Sequence, residues 1–196
     1  MTQYFKFSLC FLTSLFFYFQ ISNAQQIGNK IEDFSLLEVT QQQKVRLYDN
    51  NSACIVLVFI SSDCSYDKMY KTKLQRIRSK YANEGVSFIC LNSNDDENLS
   101  AMQSQAQDWG FSYLKDEKHL IADLLSVEKT PEVVVLQNNA GSFFIKYKGA
   151  IDVLGSGADA AGQLSYLEEA IEAVLSKSIV NMPLRPVTGC AIYRGE

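Results

Sequence analysis

The 196-residue sequence has only three prolines, one tryptophan and one histidine, and no two of its five cysteines lie close together. With cysteines at 10, 54, 64, 90 and 190 the chain contains no CxxC pair, so one thiolate cannot be resolved by an immediate neighbour. Five are also too few, in a chain this long, for a disulfide scaffold replacing a deficient core, so each thiol has to be judged singly. There is no excess of positive charge: 18 basic residues face 22 acidic ones, a formal net charge of −4. Nucleic acid is therefore not an expected partner. A single histidine, His119, offers little for a metal; with Cys64 it would make at most half of a copper site. No metal and no cofactor are expected.

Only the beginning of the chain has a long apolar run. "MTQYFKFSLCFLTSLFFYFQISNA" carries one Lys, no acid, an apolar stretch from about Phe7 to Ile21, and small residues at Ser22 and Ala24. This is the pattern of a secretory signal over residues 1–24, and the run is short for a membrane span of about 20 residues. Cys10 leaves with it. The expected mature chain, 25–196, is one domain large enough for a proper core, without a membrane segment after cleavage. Export places its four cysteines in a periplasmic or secreted setting, where disulfides persist.

Along the mature chain, Phe34, Leu36 and Val39 with Val45 and Leu47 flank a polar "TQQQ" and predict a hairpin. "ACIVLVFI" at 53–60 and "VSFICLN" at 86–92 are continuously apolar and β-branched, the pattern of strands covered on both faces, with Cys54 and Cys90 buried and inert inside them. Between them, Tyr70, Leu74, Ile77 and Tyr81 form one stripe of a helix over 66–84, stopped by Gly85. Its basic residues, Lys68, Lys71, Lys73, Arg76, Arg78 and Lys80, are read as a solvated face.

"NDDEN" at 94–98 lacks the Gly and distal Glu of an EF-hand loop and is read as the start of a helix carrying Leu99, Met102, Ala106 and Trp109 on one face. A short helix follows at about 118–126. "EVVVLQ" and "SFFIKYKG" are predicted strands joined by "NNAG", and Leu164, Leu167, Ile171 and Val174 mark a last helix before a tail with Pro183, Pro186 and Cys190. The Gly-rich "GSGADAAG" at 155–162 has neither the spacing nor the setting of a nucleotide loop. The predicted class is α/β, a mixed central sheet with helices on both faces.

The chemistry concentrates at "SSDC". Cys64 falls where a central strand passes into a helix, with the Ser61 hydroxyl three residues earlier. A helix N-terminus stabilises an anion by about 0.3 to 1 kcal/mol. Asp63 and Asp67 oppose it by a comparable amount, which leaves the thiol near its ordinary pKa. Cys190, in a tail that could fold back, is open to four readings: a partner for Cys64, a structural clamp, a free thiol, or a link to another chain.

Cys64 at a strand-to-helix junction, with Thr130-Pro131 immediately before a hairpin, resembles the thioredoxin fold. "IGNKIEDFSLLEV", "GVSFICLNSNDDEN", "KTPEVVVLQ", "YKGAID" and "GCAIY" occur in the order found in the peroxiredoxin-like branch of the redoxin, or alkyl hydroperoxide reductase/thiol-specific antioxidant, superfamily. The resemblance runs over about residues 27–193.

It implies a thioredoxin-like domain with an N-terminal hairpin and a C-terminal tail, and a cis peptide at Pro131 packed against the helix start. It also implies a site of Cys64, Ser61, Thr130 and Pro131 with Cys190 as a possible resolving thiol. Relatives carry CxxC followed by Pro, where this chain has Ser61, Ser62, Asp63, Cys64 and Ser65. The T/SxxC arrangement of peroxidatic cysteines fits Ser61 and Cys64, although Leu57 stands where that motif has Pro.

The leading expectation is an exported thiol-dependent oxidoreductase acting on a peroxide or disulfide, with an external thiol reductant as partner. The alternatives are a thioredoxin-fold binding or scaffold protein that lost catalysis with its first cysteine, and a copper or thiol chaperone using Cys64 and Cys190.

Overall fold

The computed structural model describes residues 27–153 and 165–195. The expected signal segment 1–24, the Gly-rich stretch 155–162 and Leu164 lie outside the described residues. In chain order the elements are β1 (Lys30–Ile31), β2 (Ser35–Glu38), β3 (Gln43–Arg46), β4 (Cys54–Phe59), α1 (Ser65–Lys80), β5 (Val86–Asn92), α2 (Leu99–Trp109) and β6 (Ser112–Lys115). They continue with α3 (Leu120–Leu124), β7 (Lys129–Thr130), β8 (Glu132–Asn139), β9 (Ser142–Gly149), α4 (Tyr166–Leu175) and β10 (Cys190–Ala191).

Among the described residues the main sheet has the strand order β1-β9-β8-β4-β5-β6-β2-β3, and β10 pairs with β7 in a separate ribbon. β4 runs parallel to β5 and antiparallel to β8, so it sits at the centre of a mixed sheet. All six of its residues are fully buried. Successive side chains of a strand point to opposite faces. Val56 and Val58 accordingly join one core with Tyr70, Leu74 and Ile77 of α1, Met102 and Trp109 of α2, and Leu167, Ile171 and Val174 of α4. Ile55, Leu57 and Phe59 join the other, with Ile121 of α3, Leu125 and Ile192 of the tail. Both faces of the sheet are therefore covered, which is why no polar residue interrupts this strand.

The hairpins fall where the turn chemistry placed them. β2 pairs with β3, and β8 with β9, antiparallel. Asn138 Oδ1 accepts from the Gly141 N–H in the second turn, where Gly141 takes a positive φ of 83°.

Four local expectations need correction. β6 was not anticipated: "SYLK" is short and follows a helix stop directly, yet it is paired on both sides, with β5 and β2. α1 ends at Lys80, four residues before the expected end, and residues 81–84 form a turn leading to Gly85. The acidic run is not the first turn of α2; Asn98 caps that helix through the Ala101 N–H, and Leu99 is 38% exposed rather than on the buried stripe.

The basic face of α1 is largely paired rather than simply solvated. Lys71 reaches Asp108 of α2, and Arg76 and Lys80 reach Glu168 of α4. Lys73 is 2% exposed and its Nζ lies 2.5 Å from Asp152, which also accepts from the Tyr70 hydroxyl at 2.9 Å.

Candidate active site

β4 ends at Phe59, and the chain turns through Ile60 to Asp63 before α1 begins. Cys64 is the N-cap of α1, with extended backbone (φ −80°, ψ 123°) and no side-chain capping bond. Cysteine is a poor cap, so neighbouring acids satisfy the polar groups of this turn instead. Asp67 reaches back from the first turn of α1 to accept from the Ser61 N–H at 2.6 Å. Glu97 accepts from the Ser61 hydroxyl, from the Ser62 N–H at 2.8 Å and from Asn92 Nδ2 at 2.6 Å. Gln105 donates to the Ser61 carbonyl at 3.0 Å. Together these bonds hold "SSDC" tightly although it belongs to neither helix nor strand.

The tail closes the site from above. It runs beside β9, with the Lys148 N–H donating to Pro183 at 2.9 Å and the Arg185 N–H to Lys148 at 3.1 Å. Arg185 stacks over the Tyr166 ring at 4.0 Å. β10 then pairs with β7, Cys190 opposite Thr130. Gly189 passes so close to the Thr130 carbonyl that a Cβ there would overlap it. Cys64 and Cys190 are joined in a disulfide across 126 residues, their Cα atoms 6.0 Å apart. The bond removes two of the four readings of Cys190, the free thiol and the link to another chain, and is compatible with the other two, a redox partner for Cys64 and a structural clamp.

The Thr130-Pro131 peptide is cis, and Cys64 Sγ lies 3.8 Å from the Thr130 carbonyl oxygen. With its sulfur in the disulfide, Cys64 has no S–H to donate there. Cys64, Thr130, Pro131 and Cys190 are thus brought together. Ser61 is beside them and buried, but its hydroxyl donates to Glu97 and accepts from the Asp63 N–H at 3.1 Å.

Two contributors were missed or misjudged from sequence. Glu97 was read as part of a helix start, whereas it organises the Ser61–Ser62 turn; only the fold brings it there. Asp67 was read as a charge opposing the thiolate. It is fully buried, and burial pushes its carboxyl up to about 7, with the Ser61 N–H and the Thr130 hydroxyl pulling the other way. Its Oδ1 and Thr130 Oγ1 are both buried and without a hydrogen-bond partner of good geometry. Below about pH 7 Asp67 is mostly neutral and opposes a thiolate little.

The remaining thiols behave as their strands predict. Cys54 and Cys90 are free and buried. Burial pushes the Cys54 thiol up to about 12 and Cys90 higher still. His119 is buried, its Nε2 lying 3.3 Å from Asp95. Among the described residues no helix is long and apolar enough to cross a membrane.

Residues 27–153 match the model of the AhpC/TSA family. No curated protein matches the chain. Among solved structures, an uncharacterised conserved protein from Geobacillus kaustophilus is 28% identical with a TM-score of 0.75, over 88% of this chain and 94% of that one. A hypothetical protein from Sinorhizobium meliloti 1021 is 25% identical with a TM-score of 0.74, over 87% and 96%. A protein described as a thiol:disulfide interchange protein, DsbE, from Chlorobium tepidum is 22% identical with a TM-score of 0.60, over 78% and 99%. That last likeness is one of fold, a thioredoxin fold, and it agrees with the mixed sheet flanked by helices. With the family match spanning more than half of its length, this chain belongs to the AhpC/TSA family.

Proposed function

We propose that the protein is an exported thiol-dependent oxidoreductase whose redox couple is Cys64 and Cys190. The observation that carries this reading is the disulfide between them at the start of α1, against the cis Thr130-Pro131 peptide. In the reduced form, the Cys64 thiolate attacks a peroxide oxygen, the O–O bond breaks, and an alcohol or water leaves with the proton. Cys64 becomes a sulfenic acid. The Cys190 thiol then attacks Cys64 Sγ, a water leaves, and the disulfide forms. With a disulfide substrate, Cys64 attacks one sulfur, the substrate bond breaks and its other sulfur leaves as a thiolate; Cys190 then attacks Cys64 Sγ and releases the remaining substrate thiolate. Two external thiols, or one dithiol, return both cysteines to the reduced state and become a disulfide themselves. Cys190 thereby takes over the resolving task that a CxxC neighbour performs elsewhere, which offsets the presence of Ser61.

Export is supported by the leader pattern over 1–24 and by a disulfide, which persists in oxidising compartments. The test is a peroxide pulse on the reduced protein followed by a sulfenic-acid trap. Cys190→Ser should accumulate label on Cys64, wild type should show little because Cys190 resolves it, and Cys64→Ser should show none. No label on Cys64 in Cys190→Ser, together with no exchange on disulfide substrates, would favour the scaffold reading, with the disulfide as a structural clamp.

A further inference from the structure

We infer that the cleft between the "SSDC" turn and α2 is a subsite for a basic side chain, arginine or lysine, of a polypeptide disulfide substrate. The substrate assignment rests on the proposed Cys64–Cys190 redox couple, whereas the binding itself does not. The cleft measures about 670 Å³, a volume usual for ligand sites, and Ser62, Asp63, Asp96, Gln105 and Trp109 are among its walls. Ser62 and Asp63 immediately precede Cys64, and Lys68, which also lines the cleft, lies one turn beyond it on α1. The cleft thus adjoins the residue that attacks the substrate.

Gln105 is the residue that points to a ligand. Its side chain is 8% exposed, and the orientation of its amide is fixed by the Ser61 carbonyl, which accepts from Nε2 at 3.0 Å. Oε1 is the other polar atom of the same amide, and it is buried without a hydrogen-bond partner. A buried carbonyl oxygen with no donor is rare and unfavourable in a folded protein, so this wall of the cleft calls for an N–H group.

The charge around it selects a cationic donor. Asp108 is offset by Lys71 at 2.5 Å, but the hydrogen-bond donors to Glu97 are all neutral: the Ser61 and Ser62 hydroxyls, the Ser62 N–H and Asn92 Nδ2. Asp63 and Asp96 are exposed and make no ion pair among the described residues. Against these acids the cleft offers Lys68 alone. An anion is disfavoured there, while an ammonium or guanidinium group finds an acceptor in Gln105 and a negative field around it. Trp109 and Ala101 add an apolar wall for the methylene stem of lysine or arginine.

The cleft is present with the disulfide closed, so binding is testable on the oxidised protein. Blocked glycine tripeptides whose central residue is arginine, lysine, citrulline or glutamate are titrated at low salt. Heteronuclear NMR follows the Gln105 side-chain amide and the indole N–H of Trp109, the only tryptophan in the chain. The arginine or the lysine peptide should shift both signals saturably, the tighter of the two identifying a guanidinium or an ammonium site. The citrulline and glutamate peptides should bind about tenfold more weakly, and Asp63→Asn combined with Asp96→Asn should weaken the basic peptides by about the same factor. With the reduced protein, a peptide disulfide carrying the preferred basic residue beside its cysteine should show a lower KM than its citrulline counterpart at similar kcat. No saturable shift, or equal affinity for the citrulline peptide, would overturn the inference and leave the redox couple standing. Charge-selective binding without reaction of Cys64 with any disulfide would support the cleft as a cation site and overturn the redox couple, and with it the substrate assignment.

Discussion

Gly189 lies against the carbonyl of Thr130 with no space for a Cβ, and the next residue, Cys190, is bonded to Cys64. The close approach and the disulfide depend on each other: the tail must come down to the cis peptide for the sulfurs to meet. Gly189→Ala should therefore weaken both. Overpacking of this kind costs about 1 to 3 kcal/mol. Closing a loop of this length contributes at most about 4 to 5 kcal/mol by the chain-entropy account. In wild type, adding reductant should lower the melting temperature markedly. In Gly189→Ala the oxidised protein should melt lower, and its disulfide should be reduced faster by dithiothreitol. An unchanged melting temperature and reduction rate would show that the tail seats without needing glycine.

Asp67 predicts an unusual pH dependence. Its folded-state carboxyl is pushed up to about 7 by burial, while in the unfolded chain it titrates near 3.8. Between these values the folded state holds a proton that the unfolded state has released, so this group's contribution to stability falls as pH rises from about 4 to 7 and is level above. Asp67→Asn keeps an oxygen for the Ser61 N–H and removes the titration. The variant should gain stability over wild type at pH 8 and gain little at pH 4.5, measured by urea unfolding at both. A difference independent of pH would mean that Asp67 is charged in the folded protein throughout.

Restoring the missing cysteine tests what limits the site. Ser61→Cys places a thiol at the first position of a CxxC with Cys64, at a helix start whose geometry suits such a pair in related folds. The variant should gain disulfide reductase activity with a dithiol donor, and keep it in a Cys190→Ser background. Because the Ser61 hydroxyl donates to Glu97, the substitution also loosens that turn, and a small loss of stability is expected. Equal dithiol-dependent turnover by wild type and Ser61→Cys, persisting in Cys190→Ser, would show that the missing cysteine is not limiting.

What the sequence determined by itself was everything written in local pattern. "ACIVLVFI" and "VSFICLN" could only be strands covered on both faces, and with them came the burial of Cys54 and Cys90. The stripe Tyr70, Leu74, Ile77 and Tyr81 set the buried side of α1, and Cys64 fell at the junction because strand and helix patterns meet there. Interactions between distant residues were decided by tertiary structure. Lys73 sits among six basic residues that look alike on a helical wheel, and only the position of Asp152, 79 residues on, makes it a buried ion pair. Glu97 is one acid in an acidic run until the β5–α2 loop folds onto Ser61 and Ser62. The partner of Cys190 was open for the same reason: a disulfide depends on Cα separation and direction, which a spacing of 126 residues does not encode. The path of the tail over Thr130 supplied both.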